Sequence, residues 1–291
     1  DIIMPKKQNS HYSYFFLLPA GLIFLIFFLI PALSSFFFSL TRWNLTDWTF
    51  IGLENFQIFF SEDSLSIGFK NTFIYAFLTC GLKVVIGLGL AVYLCSPIRT
   101  KNFMRAIIFF PNLISTIAVG ITFNSLMHPT RGVINTILNT LGLNGPDWLG
   151  NVKIALLSII AVDVWKGVGV ATVIFIAGIM SIPEQYYEAL QIDGGGSMAK
   201  FLHITLPLSR PAINSVIILA LIGGLRTFDL VWSMTRGGPG FTTDLLSSII
   251  YKQYSSGFYG LSTAGNVILF LMVSAIAFPV YKFLNSKEVD L

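Results

Sequence analysis

The sequence predicts an all-α membrane protein with six transmembrane helices, on three observations. Hydrophobic residues make up 54% of the 291 residues and charged residues only 11%, whereas a soluble globular domain carries about 25% charged residues. The mean hydropathy is +0.76. The apolar residues are concentrated in six runs, each long enough to match the roughly 20 residues that an α-helix needs to cross a bilayer.

The first apolar run covers residues 14–40 and follows a polar segment, residues 1–13. Because the apolar region of a signal peptide is only about 7–15 residues long, we expect this run to be a transmembrane helix and not a cleaved leader. Residues 53–60 indicate a short helix on the outer surface. The other predicted spans are residues 69–95, 104–127, 154–180, 213–234 and 261–284, and a polar tail follows at residues 286–291. Residues 14–285 are therefore expected to form one transmembrane domain.

The distribution of lysine and arginine predicts that both termini are cytoplasmic, because short cytoplasmic loops are enriched in these residues. With the N-terminus inside, nine basic residues lie in inner segments, namely Lys6, Lys7, Arg99, Lys101, Arg105, Lys200, Arg210, Lys282 and Lys287. Six lie in outer loops, namely Arg42, Lys70, Arg131, Lys153, Arg236 and Lys252. This orientation places residues 182–211 on the cytoplasmic side.

Five ionisable residues lie within the predicted spans: Lys83, Asp163, Lys166, Arg226 and Asp229. A charge near the bilayer centre costs at least about 2.5–3.5 kcal/mol on insertion scales, so such residues usually face a cavity or a partner. Asp163 and Lys166 are three residues apart, on one face of the fourth helix, and Arg226 and Asp229 repeat that spacing in the fifth. Either each couple is a salt bridge that fixes helix packing, or both faces line a wet path for a polar solute.

The residues next to these charges favour the second interpretation, in which both faces line a path for a polar solute. Trp165 and Gly167 lie beside Asp163 and place an aromatic ring and a small residue next to the charge. Binding sites for small molecules combine such apolar surfaces with a few polar groups that fix orientation. Three roles stay open for the Lys83 side chain: it extends to the membrane surface, pairs with a residue of another helix or contacts the solute.

A short helix is predicted over about residues 182–193, between the fourth and fifth spans. Ser181 as N-cap and Glu184 three residues later fit a capping box, with proline in the first turn. The glycine run at residues 194–196 should end the helix, because glycine is costly inside helices and adopts left-handed backbone. This helix is too short to cross a bilayer, so we expect it at the membrane surface.

The loop that contains this helix has a distinctive pattern. It combines a Glu188-Ala189 pair, Asp193-Gly194 five residues after the glutamate, and Leu206-Pro207. These residues resemble the EAA loop of ABC-importer permeases. The surrounding Ala177-Gly178-Ile179, Tyr187 and Ile204-Thr205 are similar to the MalF- and UgpA-like sugar-permease branch, although Leu190 and Gly195 replace alanines that are usual there.

The resemblance implies a MetI-like fold and a permease subunit of an ATP-driven ABC importer for a sugar or oligosaccharide, in the cytoplasmic membrane of a bacterium or archaeon. The implied partners are a second homologous permease in a heterodimer, two copies of a cytoplasmic ATPase and an extracytoplasmic solute-binding protein. ATPase coupling would fall to Glu188, Ala189, Asp193, Gly194 and Pro207. By resemblance, the sugar-contacting positions are Asp163, Gly167, Arg226, Thr227 and Phe228. The predicted pathway set adds Trp165, Lys166, Asp229 and Lys83.

We find no motif in the sequence for an enzyme active site, a metal site or a cofactor site. Residues 194–200 approach a phosphate-binding loop, but that motif requires glycine directly before the lysine and a hydroxyl after it, where this chain has Ala199 and Phe201. His11, His128 and His203 lie in separate segments. ATP and magnesium are therefore expected on the partner ATPase, and the scattered basic residues form no nucleic-acid-binding patch.

Three alternatives stay open, and one of them, a membrane receptor or scaffold with six spans, would not need paired charges within its helices. The three cations Lys83, Lys166 and Arg226 outnumber Asp163 and Asp229 by one, which favours an anionic solute such as a uronate oligosaccharide or glycerol phosphate. A secondary transporter would need no ATPase, but that class often contains inverted repeats, and no internal repeat is apparent in the sequence.

Overall fold

A computed structural model describes residues 14–61 and 63–286. The predicted N-terminal segment, residues 1–13, and all of the predicted tail except Ser286 lie outside the described residues. Four of the described helices are long and apolar enough to cross a bilayer, and two bent helix pairs each have the composition of a further span. This architecture agrees with six predicted transmembrane segments, and the bent pairs, Lys101–Leu113 with Thr116–Leu126 and Ser197–Leu208 with Arg210–Leu225, correspond to the third and the fifth.

The first half of the chain contains one hairpin and the first three spans. The elements are α1 (Phe15–Ser39), β1 (Thr41–Trp43), β2 (Trp48–Phe50), α2 (Glu54–Ser61), α3 (Asp63–Cys95), α4 (Lys101–Leu113), α5 (Thr116–Leu126) and α6 (Val133–Thr140). Proline residues lie near the start and in the middle of α1, which includes a π-helical segment, Leu25–Leu29.

The second half of the chain contains the last three spans and the surface helices between them. The elements are α7 (Ala155–Met180), α8 (Glu184–Ile192), α9 (Ser197–Leu208), α10 (Arg210–Leu225), α11 (Asp229–Met234), α12 (Leu246–Ser255) and α13 (Tyr259–Asn285). The bend between α9 and α10 is 66°.

The short β-hairpin after α1 was not anticipated from the sequence. Thr41 pairs with Phe50 and Trp43 with Trp48, and the Asn44 side chain closes the turn by accepting from the backbone N–H groups of Thr46 and Asp47. The buried amide of Asn55 donates to Ser39 O and Thr41 O at 2.9 and 2.8 Å. These bonds satisfy carbonyl groups at the end of α1 and attach the predicted surface helix α2 to it.

The third span is broken, whereas one helix over residues 104–127 was expected. Helices α4 and α5 meet at an angle of 96°, and Ile114 and Ser115 between them have extended ψ angles near 138° and 134°. Pro111, in the last turn of α4, has no N–H group and its ring crowds the preceding helical turn. A proline near the helix end therefore accompanies the change of direction.

The fifth span is also broken, which corrects the expectation of one helix over residues 213–234. Helix α10 ends at Leu225, and residues 226–228 separate it from α11. The preceding Gly223-Gly224 pair weakens the helix, because glycine costs about 1 kcal/mol relative to alanine in a helix interior. Arg226 and Asp229 consequently do not share the face of one helix.

The spans form a bundle with two distinguishable ends. At one end, Arg105 at the start of α4 donates to Leu94 O in α3 at 3.2 Å, and Asn214 in α10 donates to Leu284 O in α13 at 3.2 Å. Helix α8 lies at this end, directly after α7, and we call it the α8 end. The hairpin, α2, α6 and α12 lie at the opposite end.

Helices α3, α7 and α10 pack against one another at the centre of the bundle. Gly224 permits a close approach of α10 to α3, since a Cβ atom there would lie 2.7 Å from the Ala76 Cα atom. A Cβ atom on the adjacent Gly223 would have no neighbour within 4 Å. The two adjacent glycines thus have different environments.

We predict that Gly224→Ala lowers the thermal unfolding temperature of the purified protein, because over-packing against backbone costs about 1–3 kcal/mol. Gly223→Ala is the matched control, and it should leave the temperature unchanged or raise it, since alanine is the better helix former. Tryptophan fluorescence during heating measures the unfolding temperature of each variant. Equal unfolding temperatures for the two variants would contradict the close packing of α10 on α3.

Candidate functional site

Helix α3 presents a line of polar side chains to the centre of the bundle. The α3 polar stripe consists of Asn71, Thr72, Tyr75, Thr79 and Lys83. Residues three or four positions apart lie on one face of a helix, so this stripe runs along a single side of α3. Its first four members are buried. The stripe therefore contacts other helices and not lipid.

The end of the stripe at Asn71 and Thr72 holds the loop that follows α11. Asn71 donates from its side-chain amide to Thr242 O and Asp244 O at 2.9 and 3.0 Å. The hydroxyl of Thr72 accepts from the N–H group of Leu246 at 2.9 Å, at the start of α12. Backbone groups of an irregular segment are thereby satisfied by side chains of a regular helix, as an apolar environment requires.

The buried Asp244 carboxylate fixes the same loop from the other side. Its Oδ1 atom accepts from the Ser248 hydroxyl at 2.7 Å, and its Oδ2 atom lies 2.6 Å from Lys252 Nζ. A Cβ atom on Gly237 would overlap this carboxylate, so only glycine fits there. The ion pair and the glycine together set the path of residues 237–244.

Lys83 and Asp163 form an ion pair in the middle of the bundle. Lys83 Nζ lies 2.6 Å from Asp163 Oδ2, with exposed side-chain fractions of 13% and 18%. A Cβ atom on Gly167 would lie 2.6 Å from Lys83 Cε, so this glycine makes room for the lysine chain. The charge that compensates Asp163 therefore lies on α3, which corrects the salt bridge within one helix that the spacing to Lys166 suggested.

Tyr75 is the buried residue that the sequence did not single out. Its ring lies in the core cluster shared by α3, α5, α7 and α11, and its hydroxyl makes no hydrogen bond to the described residues. That hydroxyl interacts electrostatically with Asp163 and lies toward Thr227. Tyr75 thus connects the ion pair to the break in the fifth span. The spacing of polar residues along α3 was the signal that would have found it.

The break in the fifth span is stabilised by side-chain hydrogen bonds. The hydroxyl of Thr227 donates to Gly223 O at 2.8 Å, and Ser247 at the start of α12 donates to Thr227 O. Arg226 and Asp229 on either side of the break are exposed. The break therefore presents two charged side chains, and Ser247 satisfies the Thr227 carbonyl within it.

An aromatic cluster lies beside the break. The Phe228 ring is 5.5 Å from the Trp232 ring and 5.0 Å from the Tyr251 ring, measured between centroids. Arg226 and Phe228 line a cavity of about 320 Å³ together with polar residues of α12 and α13. We call it the Arg226 cavity. A flat ring with hydroxyl groups has both stacking and hydrogen-bonding partners there.

The remaining predicted pathway residues lie apart from this cavity. Trp165 packs on Phe123 of α5 with a centroid distance of 5.1 Å and remains 43% exposed. Lys166 is half-buried. The structure consequently divides the predicted pathway set into three groups: Lys83, Asp163 and Gly167; Arg226, Thr227, Phe228 and Asp229; Trp165 and Lys166.

The predicted coupling residues occupy an exposed helix at the α8 end. Glu188, Ala189, Asp193 and Gly194 are exposed, and Pro207 in α9 is half-buried. The N–H groups of Gly194 and Gly195 donate to Gln191 O and Leu190 O at 3.1 and 2.8 Å, which is a Schellman motif. Gly194 has φ +79°, so the glycine run ends the helix as predicted.

The beginning of α8 differs from the predicted capping box. Pro183 precedes the first helical residue, and no side chain caps the helix. The Ser181 hydroxyl instead donates to Gly178 O at 2.8 Å, because Ser181 belongs to the end of α7. As the C-cap residue of α7, Ser181 bonds back to that helix and not forward to α8.

Comparison with known proteins identifies the family. The family model described as "Binding-protein-dependent transport system inner membrane component" matches residues 83–288. The chain belongs to this family. The trehalose/maltose transport system permease protein MalF of Thermococcus litoralis is 31% identical over 270 residues, which cover 92% of each protein. The arabinooligosaccharides transport system permease protein AraP of Bacillus subtilis is 31% identical over 98% of this chain and 91% of its own length.

A solved structure has the same fold. A chain of a bacterial ABC transporter involved in the import of the acidic polysaccharide alginate superposes with a TM-score of 0.82 at 23% identity, covering 94% of each chain. The predicted MetI-like fold of ABC-importer permeases is thus confirmed. Membership in a binding-protein-dependent family excludes the alternative of a secondary transporter. The pathway and coupling roles of individual residues stay predictions.

We predict that Lys83→Met and Asp163→Asn each destabilise this permease by about 3–5 kcal/mol, because each leaves an uncompensated buried partner. The double variant Lys83→Met/Asp163→Leu should recover part of the loss, since it removes both polar groups. Thermal unfolding of the purified protein measures the three variants.

The Arg42–Glu54 pair is the control for the buried pair. Its side chains are 70% and 43% exposed, and exposed pairs contribute at most about 1 kcal/mol. Arg42→Met should therefore change stability little. If Lys83→Met lowers stability no more than Arg42→Met does, the central role of the Lys83–Asp163 pair is contradicted.

Proposed function

We propose that this chain is one permease subunit of an ATP-driven importer for a sugar or oligosaccharide. In this assembly it forms the translocation pathway with a second, homologous permease. Two copies of a cytoplasmic ATPase bind ATP and magnesium, and an extracytoplasmic protein delivers the solute. Family membership and the names of the trehalose/maltose and arabinooligosaccharide relatives support the proposal.

The observation that carries the proposal is the connection between an exposed helix at the α8 end and a polar break in mid-bundle. Tyr187 in α8 and Thr205 in α9 have hydroxyl oxygens 3.1 Å apart, and Ile182 and Ile204 on either side of α8 are buried. Gly178 in α7 lies so close to Ala212 in α10 that a Cβ atom would overlap it. Helix α8 is therefore attached firmly to two spans.

Those two spans lead to the proposed pathway. Helix α7 carries Asp163, and α10 ends at the break that exposes Arg226. When the ATPase dimer closes, a rigid displacement of α8 moves both spans relative to the rest of the bundle. In this mechanism the movement turns the cavity from inward-facing to outward-facing, without chemistry on this chain.

In this proposal Glu188 meets a basic residue in a groove of the ATPase. Ala189 and Gly194 are small, which permits close approach of the two proteins. Asp193 directly follows the last residue of α8, and Pro207 lies in the last turn of α9. The α8 end and both termini face the cytoplasm in this arrangement, as the lysine and arginine distribution predicts.

The pathway residues suit a polar solute with apolar ring faces. Phe228 supplies an aromatic surface, while Arg226 supplies hydrogen-bond donors in the same cavity. Asp163 is neutralised by Lys83 at 2.6 Å, so the centre of the bundle holds no uncompensated charge from that pair. Thr227, Gly167 and the half-buried Lys166 complete the proposed path, with Trp165 on the side of α5.

The alternative of an anionic solute has one observation in its favour. The guanidinium of Arg226 lies in a cavity whose described lining residues include no acidic side chain, and guanidinium groups bind carboxylates in a bidentate manner. Uronate oligosaccharides and glycerol phosphate therefore belong among the solutes to be tested.

Reconstitution in lipid vesicles tests the function. The chain is assembled with its partner permease, its ATPase and its binding protein, and ATP hydrolysis is measured with neutral and acidic oligosaccharides. Stimulation by one sugar class is the expected result and would identify the solute. Absence of stimulation by every sugar would refute the proposal.

We predict that Glu188→Gln lowers sugar uptake by at least about tenfold in the same vesicles, because it removes a charge-assisted contact with the ATPase. ATP hydrolysis by the assembly should continue without coupled uptake. Glu184→Gln, which removes an equal charge one turn earlier in α8, is the control and should leave uptake near normal. Similar losses for both variants would show that Glu188 has no special role.

A further inference from the structure

The two broken spans contact each other through their short outer halves, α5 (Thr116–Leu126) and α11 (Asp229–Met234). Ser233 of α11 occupies the space where a side chain on Gly120 would lie. Asn124 of α5 donates from its amide to Met234 O at 2.6 Å. These contacts fix the two half-helices side by side, so the surface between them has a defined shape.

Two adjoining cavities lie along this surface, with volumes of about 240 and 370 Å³. Both are lined by Ile121, Ser233 and Arg236. Asp229 and Trp232 line the smaller cavity, and Asn124 and Ser125 line the larger one. We call the two cavities together the α5–α11 groove. Its combination of an aromatic ring with charged, amide and hydroxyl groups is typical of a site for a small polar molecule.

The charged residues of the groove retain their capacity to bind a ligand. Asp229 and Arg236 are both exposed, and neither takes part in the ion pairs found among residues 14–61 and 63–286. Asn124 uses its amide nitrogen on Met234 O, which leaves its oxygen as an acceptor. The groove therefore offers a carboxylate, a guanidinium and an amide oxygen.

Arg236 has a backbone conformation that is unusual for its type. Its φ angle is +53°, and residues other than glycine rarely adopt positive φ unless the surroundings impose it. Its N–H group contacts Val231 O and Trp232 O, each at 3.2 Å, and the next residue, Gly237, packs on the buried Asp244 carboxylate. The loop anchor at Asp244 thus holds Arg236 at the edge of the groove.

We infer that the α5–α11 groove is a solute subsite that takes an uncharged, hydroxyl-bearing ring, such as one unit of a neutral sugar. Trp232 contacts the apolar face of the ring, Asp229 accepts from its hydroxyl groups and Arg236 donates to them. An acidic sugar unit meets the Asp229 carboxylate, and like charges at close range oppose binding. The groove thereby selects neutral solutes, and this inference rests on the proposed function.

The groove adjoins the Arg226 cavity through one side chain. Phe228 lines both the Arg226 cavity and the smaller cavity of the groove. A solute of two or more rings that occupies both places passes over the Phe228 ring. The geometry accordingly fits an oligosaccharide better than a single small ring.

The test uses the complete assembly in vesicles, with matched neutral and uronate disaccharides, each supplied at saturating concentration with a saturating amount of binding protein. Saturation keeps solute capture from limiting the rate. We expect the unsubstituted protein to import the neutral sugar. Asp229→Asn and Arg236→Gln should each lower the maximal uptake rate of that sugar by about tenfold, the effect of one hydrogen bond to a charged group.

The acidic disaccharide provides the readout that a structural role would not change. Asp229→Asn removes the opposing charge, so the ratio of acidic to neutral uptake should rise by at least about tenfold. The controls are Asp47→Asn and Arg131→Gln, which remove similar charges from other parts of the outer surface. Both should leave the two uptake rates and their ratio unchanged. Yield and ATPase co-purification of each variant verify assembly.

Two outcomes would overturn the inference and leave the proposed function intact. One is preferential import of the acidic sugar by the unsubstituted protein. The other is neutral-sugar uptake by the Asp229 and Arg236 variants that equals uptake by the controls. Failure of the unsubstituted assembly to import any sugar would instead refute the proposed function, and the subsite with it.

Discussion

The structure depends on one constraint, that backbone N–H and C=O groups inside a bilayer need partners within the protein. Two of the six spans are interrupted, and each interruption removes helical hydrogen bonds and leaves backbone groups that need other partners. The chain supplies side chains instead: Ser247 donates to Thr227 O at the break in the fifth span, and Asn71 donates to Thr242 O and Asp244 O in the loop beyond it. The regular helix α3 thereby holds in place an irregular loop that could otherwise change shape.

The buried charged side chains likewise find their partners within the protein. Lys83 and Asp163 compensate each other across α3 and α7, and Gly167 provides the space in which they meet. A buried pair of this kind adds little net stability over a well-packed apolar pair, but it strongly opposes any arrangement in which one partner lacks the other. We regard it as a device that fixes the register of α3 against α7. The buried hydroxyl of Tyr75 lies beside this pair, near Asp163 and Thr227.

Position along the bundle separates three tasks in the proposed function. The α8 end carries the exposed helix on which the ATPase would act. The middle of the bundle carries the ion pair and the break, and the opposite end carries the α5–α11 groove, bounded by the loop that Asp244 anchors. Helices α7 and α10 connect the first two regions, while α11, the short continuation of α10, connects the break to the groove. In this proposal α7 and α10 transmit a displacement of α8 to the solute path.

The sequence by itself determined the six apolar segments, the existence of the short helix after α7 and its glycine termination, because length, hydrophobicity and left-handed backbone at Gly194 are properties of neighbouring residues. Its EAA-like pattern also predicted the family that the comparisons confirmed. The sequence could not determine that Asp163 pairs with Lys83 instead of Lys166, that Ser181 belongs to α7, or that the fifth span breaks between Leu225 and Asp229. Nor could it place Arg236 beside Asp229 and Trp232. Those features depend on which helices pack against one another, and only the tertiary structure decided them, because a charge or an unpaired carbonyl in an apolar environment takes its partner from whichever helix lies nearest in space.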